Sequence, residues 1–146
     1  MTGMFFTGRE SGGDGGAGSG RLVRRRVLVA EDHADTRQML RMLIERGGFD
    51  VLEAADGEEA FRLFESACPD LILLDAGLPR LDGLAVTRRV RACASATRVP
   101  IVFLSGRAEA GARTAAFDAG CDDYLVKPDG LDNLSAVLAR HLGGNA

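Results

Sequence analysis

The chain carries two different spacings of apolar residues. Short runs that are apolar throughout, such as VLVA at 27–30 and LILLD at 71–75, are typical of strands buried on both faces. In longer segments, such as ADTRQMLRMLIER at 34–46, apolar residues recur every three or four positions, which indicates amphipathic helices. The pattern therefore predicts strands and helices that alternate from about residue 26 onwards.

The strand–helix unit occurs five times. The predicted strands are 27–30, 49–54, 71–75, 100–105 and 124–126, and the predicted helices are 34–46, 57–67, 83–92, 108–119 and 131–142. Strands that are apolar on both faces, each followed by a helix, are typical of a parallel sheet covered by helices on both sides. We therefore predict an α/β fold, a doubly wound (βα)5 three-layer sandwich with a five-stranded parallel sheet.

Composition is consistent with one soluble domain and excludes few functions. The chain has 146 residues, of which 46% are hydrophobic and 27% charged, enough for a core of ordinary size. The formal net charge of −3 argues against a nucleic-acid partner, because such proteins usually carry a basic excess. We therefore expect no contact with nucleic acid.

The first 20 residues differ in composition from the rest. Their second half, SGGDGGAGSG, is too poor in apolar side chains to offset the entropy of ordering. We predict a flexible glycine-rich tail at 1–20 and a folded domain at 21–146. The tail holds no apolar run long enough for a signal peptide or a membrane span, so we expect a cytoplasmic protein without membrane contact.

Cysteine and histidine are too few and too scattered for a disulfide framework or a zinc site. The chain has Cys68, Cys93 and Cys121 without a CxxC pair, and its histidines are His33 and His141. We expect three reduced thiols, and we interpret His33 as a solvent-facing turn residue.

Candidate chemistry follows the strands. Sites in open parallel sheets lie outside the carboxyl ends of the strands, where several strands end together. Glu31 and Asp32 follow the first predicted strand, Asp75 ends the third, Ser105 ends the fourth, and Lys127 follows the fifth. The fold therefore predicts three carboxylates, one hydroxyl and one ammonium around a single crevice.

This set of groups is suited to holding a phosphoryl group. Clustered carboxylates repel one another, and Mg²⁺, which prefers oxygen ligands, offsets that repulsion. The ammonium of Lys127 and the hydroxyl of Ser105 are suited to phosphate oxygens. Asp75 is then the candidate nucleophile, since carboxylates form aspartyl phosphates.

Four segments in order resemble the receiver domain of CheY-like response regulators in two-component signalling. They are VLVAEDHADTR, LILLDAGLPRLDG, VPIVFLSG and DAGCDDYLVKP, and the resemblance extends from about Arg26 to Leu142. It implies a flavodoxin-like sheet of order 2-1-3-4-5. It also implies that Asp75 accepts a phosphoryl group from a sensor histidine kinase or a histidine phosphotransfer protein. Only GGNA follows Leu142, so we expect a stand-alone receiver that acts on an unknown downstream protein.

The resemblance assigns a role to each candidate site residue. It implies that Asp32 and Asp75 bind Mg²⁺ directly, that Glu31 does so mostly through water, and that Gly77 offers its backbone carbonyl. Lys127 pairs with the phosphate. Relatives usually carry a larger side chain at the position of Gly77, so we expect a mouth more open to water and an altered phosphoryl lifetime.

The resemblance also implies a switch. Ser105 and Tyr124 match the family's pair in which phosphate draws the hydroxyl inward and the aromatic ring rotates into the vacated space. The surface of the fourth helix, fifth strand and fifth helix then changes its partners, and a phosphorylation-dependent dimer is one such outcome. The bond between Lys127 and Pro128 is expected to be cis.

Several alternatives remain open at this level. The chain could be a Mg²⁺-dependent phosphatase with an aspartyl intermediate, although Gly77 stands where that signature has a second Asp. It could also pass phosphate onward in a phosphorelay. A third alternative, a flavin- or nucleotide-binding domain, would need a glycine loop after the first strand, and EDHAD at 31–35 does not supply one. We expect no turnover of a separate substrate. Asp32 could instead cap the first helix, and Tyr124 could be an ordinary strand aromatic.

Overall fold

One parallel sheet separates two layers of helices. The computed structural model describes residues 24–93, 98–106, 110–127 and 129–143. The strands are β1 (Arg26–Ala30), β2 (Asp50–Ala54), β3 (Leu71–Asp75), β4 (Ile101–Ser105) and β5 (Asp123–Val126), and the helices are α1 (Ala34–Arg46), α2 (Gly57–Ala67), α3 (Gly83–Ala92), α4 (Ala110–Ala119) and α5 (Leu134–Leu142). The sheet has the strand order β2-β1-β3-β4-β5, and every pair of adjacent strands is parallel. The predicted fold class and strand order are therefore confirmed.

Alternate residues of each strand enter opposite layers of the core. In β1, Leu28 packs in the cluster under α2, α3 and α4, whereas Val27 and Val29 pack in the cluster under α1 and α5. Both clusters include side chains without solvent exposure, and each such Leu or Ile contributes about 1.5–3 kcal/mol relative to an exposed one. This two-sided burial explains why the strands read as continuous apolar runs.

The last helix differs from its prediction at its start. We predicted one helix over 131–142, but a 3₁₀ segment occupies Asp129–Asn133 and the α-helix begins only at Leu134. The segment DGLDN is poor in helix formers, and 3₁₀ turns are common at helix ends. The other described boundaries agree with the predictions to within two residues.

The loop between β3 and α3 packs against the starts of two helices. A Cβ placed on Gly57 at the start of α2 would lie 1.7 Å from the carbonyl oxygen of Leu81. A Cβ on Gly83 at the start of α3 would lie 2.9 Å from the carbonyl oxygen of Asp75. Glycine is thus required at position 57 for the close approach of the Leu81 backbone and at position 83 for that of the Asp75 backbone.

Some expectations concern residues outside the described ranges. They are the tail at 1–20, the peptide bond to Pro128 and residues 108–109 of the predicted fourth helix. Cys68, Cys93 and Cys121 are all free thiols, as expected. Among the helices that the structure describes, none is long and apolar enough to cross a membrane.

Candidate functional site

The strand register brings the predicted site residues to one edge of the sheet. Ala30 pairs with Leu74 across β1 and β3, so Glu31 and Asp75 each stand one residue further on, side by side. Asp75 in turn pairs with Leu104, the residue before Ser105. At the far side, the backbone N–H of Lys127 donates to the carbonyl of Ser105 at 2.7 Å.

The ammonium of Lys127 joins two of the carboxylates. Its Nζ donates to Oε1 of Glu31 at 2.9 Å and lies 3.4 Å from Oδ1 of Asp75. Both carboxylates are withdrawn from solvent, with side-chain exposures of 1% for Glu31 and 11% for Asp75. Burying such charges is costly unless they are paired, and Lys127 supplies the pairing.

The second carboxylate oxygen of Glu31 is held by His33. Oε2 of Glu31 accepts a hydrogen bond from the backbone N–H of His33 at 3.1 Å and lies 3.1 Å from Nδ1 of the ring. The same Nδ1 lies 3.3 Å from Oδ1 of Asp32. The ring is 75% exposed, so the prediction that it faces solvent is confirmed. That the ring bridges both acids was not predicted, although its position next to them was a signal.

Asp32 is not the cap of the first helix. The N-cap residue of α1 is His33, which places Asp32 one residue too early for that role. The alternative that Asp32 serves as the helix cap is therefore wrong. Its carboxylate is one-third exposed at the mouth of the site, where an ion can reach it.

The charges of Glu31 and Lys127 stabilise each other. Burial alone would raise the pKa of Glu31, but hydrogen bonds from Lys127 and His33 outweigh it and lower that pKa. Burial alone would lower the pKa of Lys127, but the hydrogen bond to Glu31 and the charges of Asp75 and Glu31 raise it. The structure therefore holds Glu31 as a carboxylate and Lys127 as an ammonium.

Asp75 is affected in the opposite direction. Its pKa is raised, first by burial and then by the negative charge of Glu31, and these outweigh the ammonium of Lys127 and a hydrogen bond from the backbone of Gly77. The pKa of His33 is raised by its hydrogen bond to Glu31 and the charge of Asp32. Burial and the charge of Glu31 together therefore favour the neutral form of Asp75 more than Lys127 favours its charged form.

The donor set fits a divalent cation. One ligand atom each from Glu31, Asp32 and His33 lie within 4.8 Å of one another, and the ammonium of Lys127 links Asp75 to Glu31. Carboxylate oxygens at the mouth of a crevice are ligands that Mg²⁺ accepts while keeping several of its waters. Glu31 and Asp32 therefore fit the magnesium ion that the resemblance implies, whereas the carboxylate of Asp75 is not part of this group of ligand atoms.

The predicted switch residues are both buried. Ser105 is 2% exposed and Tyr124 is 6% exposed. The ring of Tyr124 stacks on Phe103 with centroids 6.2 Å apart and planes 9° from parallel, and the guanidinium of Arg113 lies 5.6 Å from the centroid of the Tyr124 ring. In this structure the ring therefore lies in the core cluster under α2, α3 and α4.

The loop after Asp75 combines the small residue Gly77 with an unusual turn at Arg80. A Cβ on Gly77 would meet nothing within 4 Å, so the mouth is open at this position. Arg80 has a φ of 68°, a left-handed conformation that is uncommon for a residue with a side chain. Its guanidinium lies 3.5 Å from Asp56, the residue that caps α2. The contact joins residues far apart in the sequence, so no local sequence pattern indicated it.

Comparisons with known proteins agree with this geometry. Residues 27–139 match the family model of the response regulator receiver domain. The chain is 42% identical over 113 residues to the response regulator MprA of Mycolicibacterium vanbaalenii. The matched region covers 77% of this chain and 48% of that protein. It is 36% identical over 117 residues to the probable transcriptional regulator ycf27 of Porphyridium aerugineum, a match that covers 80% of this chain and 48% of that protein. The chain thus spans about half the length of these curated relatives.

A solved structure is similar over most of the chain. It is the receiver domain of the sensor histidine kinase PA1611 from Pseudomonas aeruginosa PAO1, with a TM-score of 0.76 and 35% identity over 84% of this chain and all of that one. In that protein a magnesium ion is coordinated in the active-site cleft. Fold, strand-end residues and relatives lead to one conclusion: this chain belongs to the response regulator receiver domain family.

Proposed function

We propose that Asp75 accepts a phosphoryl group from the phosphohistidine of a sensor histidine kinase or a histidine phosphotransfer protein. One observation carries the proposal: the partly buried carboxylate of Asp75, at the end of a central strand and beside Glu31, lies 3.4 Å from the ammonium of Lys127. Such a carboxylate can act as a nucleophile, and the positive charge beside it would stabilise the negative charge of a transferring phosphoryl group.

The transfer conserves atoms and charge. An Oδ of Asp75 attacks the phosphorus, a P–O bond forms, the P–N bond to the donor imidazole breaks, and that nitrogen keeps the electron pair and takes a proton. Lys127 is placed to pair with a phosphoryl oxygen, and Ser105 can donate to another. Magnesium, held by Glu31, Asp32 and Asp75 with the carbonyl of Gly77, would supply positive charge to the phosphoryl oxygens.

The output that we propose is a change in protein contacts. A phosphoryl group on Asp75 attracts the hydroxyl of Ser105, and Tyr124, now stacked on Phe103, rotates towards the space that is left. The surface of α4, β5 and α5 then binds a different partner, another protein or a second copy of the chain. We also propose that the chain modifies only itself, since Gly77 offers no side chain to serve as the general acid of a phosphatase.

Phosphoryl uptake tests the proposal directly. The full chain is incubated with Mg²⁺ and acetyl phosphate and its intact mass is recorded, beside Asp75→Ala and the control Asp118→Ala, an exposed acid on α4. We expect the wild type and the control to gain one phosphoryl group and Asp75→Ala to gain none. Uptake by Asp75→Ala, or none by the wild type, contradicts the assignment. Steady release of phosphate from p-nitrophenyl phosphate would favour the phosphatase instead.

A further inference from the structure

We propose that the imidazole of His33 is a ligand of the metal site, so that this site binds an imidazole-preferring transition ion such as Ni²⁺ as well as Mg²⁺. The inference rests on the metal site of the proposed function and adds to it a residue and a class of ion. It concerns a side chain that the sequence alone identifies only as a turn residue.

The position of the ring carries the inference. Nδ1 of His33 lies 3.1 Å from Oε2 of Glu31 and 3.3 Å from Oδ1 of Asp32. Ligand atoms about 2.1 Å from one octahedral ion lie about 3 Å apart when adjacent and about 4 Å apart when opposite. The distances of 3.1 and 3.3 Å from Nδ1 to the two carboxylate oxygens are close to those of adjacent ligands, and the three ligand atoms form one group.

The chemistry of the ring decides which ion benefits. Two carboxylates alone are hard ligands and suit Mg²⁺, whereas imidazole suits Zn²⁺, Cu²⁺ and Ni²⁺. The ring of His33 is 75% exposed, so an ion arriving from solvent can reach it without opening the core. The nitrogen therefore adds affinity for a late transition ion and little for Mg²⁺.

A second role for His33 predicts a different result. If the ring only orients the carboxylate of Glu31 by its hydrogen bond, removing the ring weakens the binding of every ion that Glu31 helps to hold. If the ring is a ligand, removing it weakens the binding of Ni²⁺ selectively. The ratio of the two affinities therefore separates a ligand from a positioning residue.

The experiment is calorimetric titration of the untagged full chain with NiCl₂ and with MgCl₂ at one pH. The variants are His33→Asn and the control His141→Asn, whose ring lies against Asp123 at the start of β5, the opposite edge of the sheet. We expect His33→Asn to weaken Ni²⁺ binding by about 10-fold or more, which is the lower end of the loss in affinity seen when a metal site loses a supporting group. Mg²⁺ binding should change by less than about twofold, because Mg²⁺ prefers oxygen ligands to imidazole. The control should match the wild type, and excess Mg²⁺ should displace Ni²⁺.

Three results overturn the inference. They are an equal loss of both ions in His33→Asn, Ni²⁺ binding that His33→Asn leaves unchanged, and Ni²⁺ binding lost instead in Cys68→Ser, which removes an exposed thiol. In each of these cases, Mg²⁺ binding and phosphoryl uptake by the wild type leave the proposed function standing. Absence of Mg²⁺ binding in the wild type speaks against the proposed function itself.

Discussion

At the scale of the residue, Asp75 is placed where its charge is unfavourable. Burial and the neighbouring charge of Glu31 raise its pKa, although Lys127 partly compensates. A native pKa above the unfolded value means that the native chain binds this proton more readily. The stabilising contribution of Asp75 is then fully present below its unfolded pKa of about 3.9 and is lost as the pH rises through the native pKa.

Removing this charge should stabilise the metal-free protein. We expect Asp75→Asn to raise the free energy of unfolding at neutral pH by roughly 0.5–2 kcal/mol, a range common for changes that relieve an unfavourable site. The gain should shrink towards zero as the pH falls below the native pKa of Asp75, because the wild-type residue is then neutral too. Urea unfolding in EDTA across pH measures it. A gain of the same size at every pH would contradict the assigned cause.

Gly77 leaves the mouth of the site open, since a Cβ there would have no neighbour within 4 Å. Under the proposed function, a side chain at this position would hinder water from reaching the phosphoryl group on Asp75. We expect Gly77→Asn to lengthen the phosphoryl lifetime severalfold, measured by intact mass after the donor is removed. Gly111→Asn, at a position that is also open but lies on α4, is the control. Equal rates in Gly77→Asn and wild type would refute the idea.

At the scale of the element, the position of a helix start matters more than the helix propensity of its residues. The start of α2 combines the cap Asp56, which accepts from the N–H of Glu59 at 2.8 Å, with a glycine that lets Leu81 approach. The N–H of Gly57 donates to the carbonyl of Pro79 at 3.3 Å. This contact fixes the loop that follows Asp75.

Gly57→Ala should therefore destabilise the fold although alanine favours helices. The new methyl would overlap the carbonyl of Leu81, and such overpacking costs about 1–3 kcal/mol or more. Gly111→Ala, which meets open space on α4, should instead stabilise by about 0.5–1 kcal/mol. Urea unfolding compares the two. A stabilised Gly57→Ala would show that the loop yields at no cost, contrary to the packing described.

At the scale of the whole molecule, the two edges of the sheet carry different sets of charged groups. The acidic site lies at the edge where the strands end. At the edge where the strands begin, Arg91 forms hydrogen bonds with residues of several elements. Its guanidinium donates to the carbonyls of Gly120 and Val99 and pairs with Asp122 at 2.8 Å. The same carboxylate oxygen of Asp122 accepts from the N–H of Ile101 at 2.9 Å, so α3, β4 and the turn before β5 share one network.

Breaking this network should affect stability and leave the site intact. Arg91 and Asp122 are partly buried, with side-chain exposures of 18% and 15%, and removing the guanidinium leaves its acceptors without a donor, which costs about 1–3 kcal/mol. We expect that loss for Arg91→Leu, with the Mg²⁺ affinity of the folded protein unchanged. Arg41→Leu, whose side chain on α1 is 44% exposed, should cost less than about 1 kcal/mol. Equal costs would mean that the network adds nothing to an ordinary surface pair.

The sequence by itself determined the layered fold and the chemistry at the strand ends. Continuous apolar runs require burial on both faces, and the carboxyl ends of parallel strands share one edge. The sequence alone therefore groups four residues at that edge: Glu31, Asp75, Ser105 and Lys127. These are rules of period and topology, which a linear pattern contains.

Only the tertiary structure decided which atoms meet. The bridge of His33 to two acids, the turn at Arg80 and the close approach of Leu81 to Gly57 depend on where loops settle against helices. The direction of the Asp75 pKa likewise follows from burial and from distances to Glu31 and Lys127. Such contacts join residues with no fixed spacing along the chain, so local pattern does not encode them, whereas packing in three dimensions does.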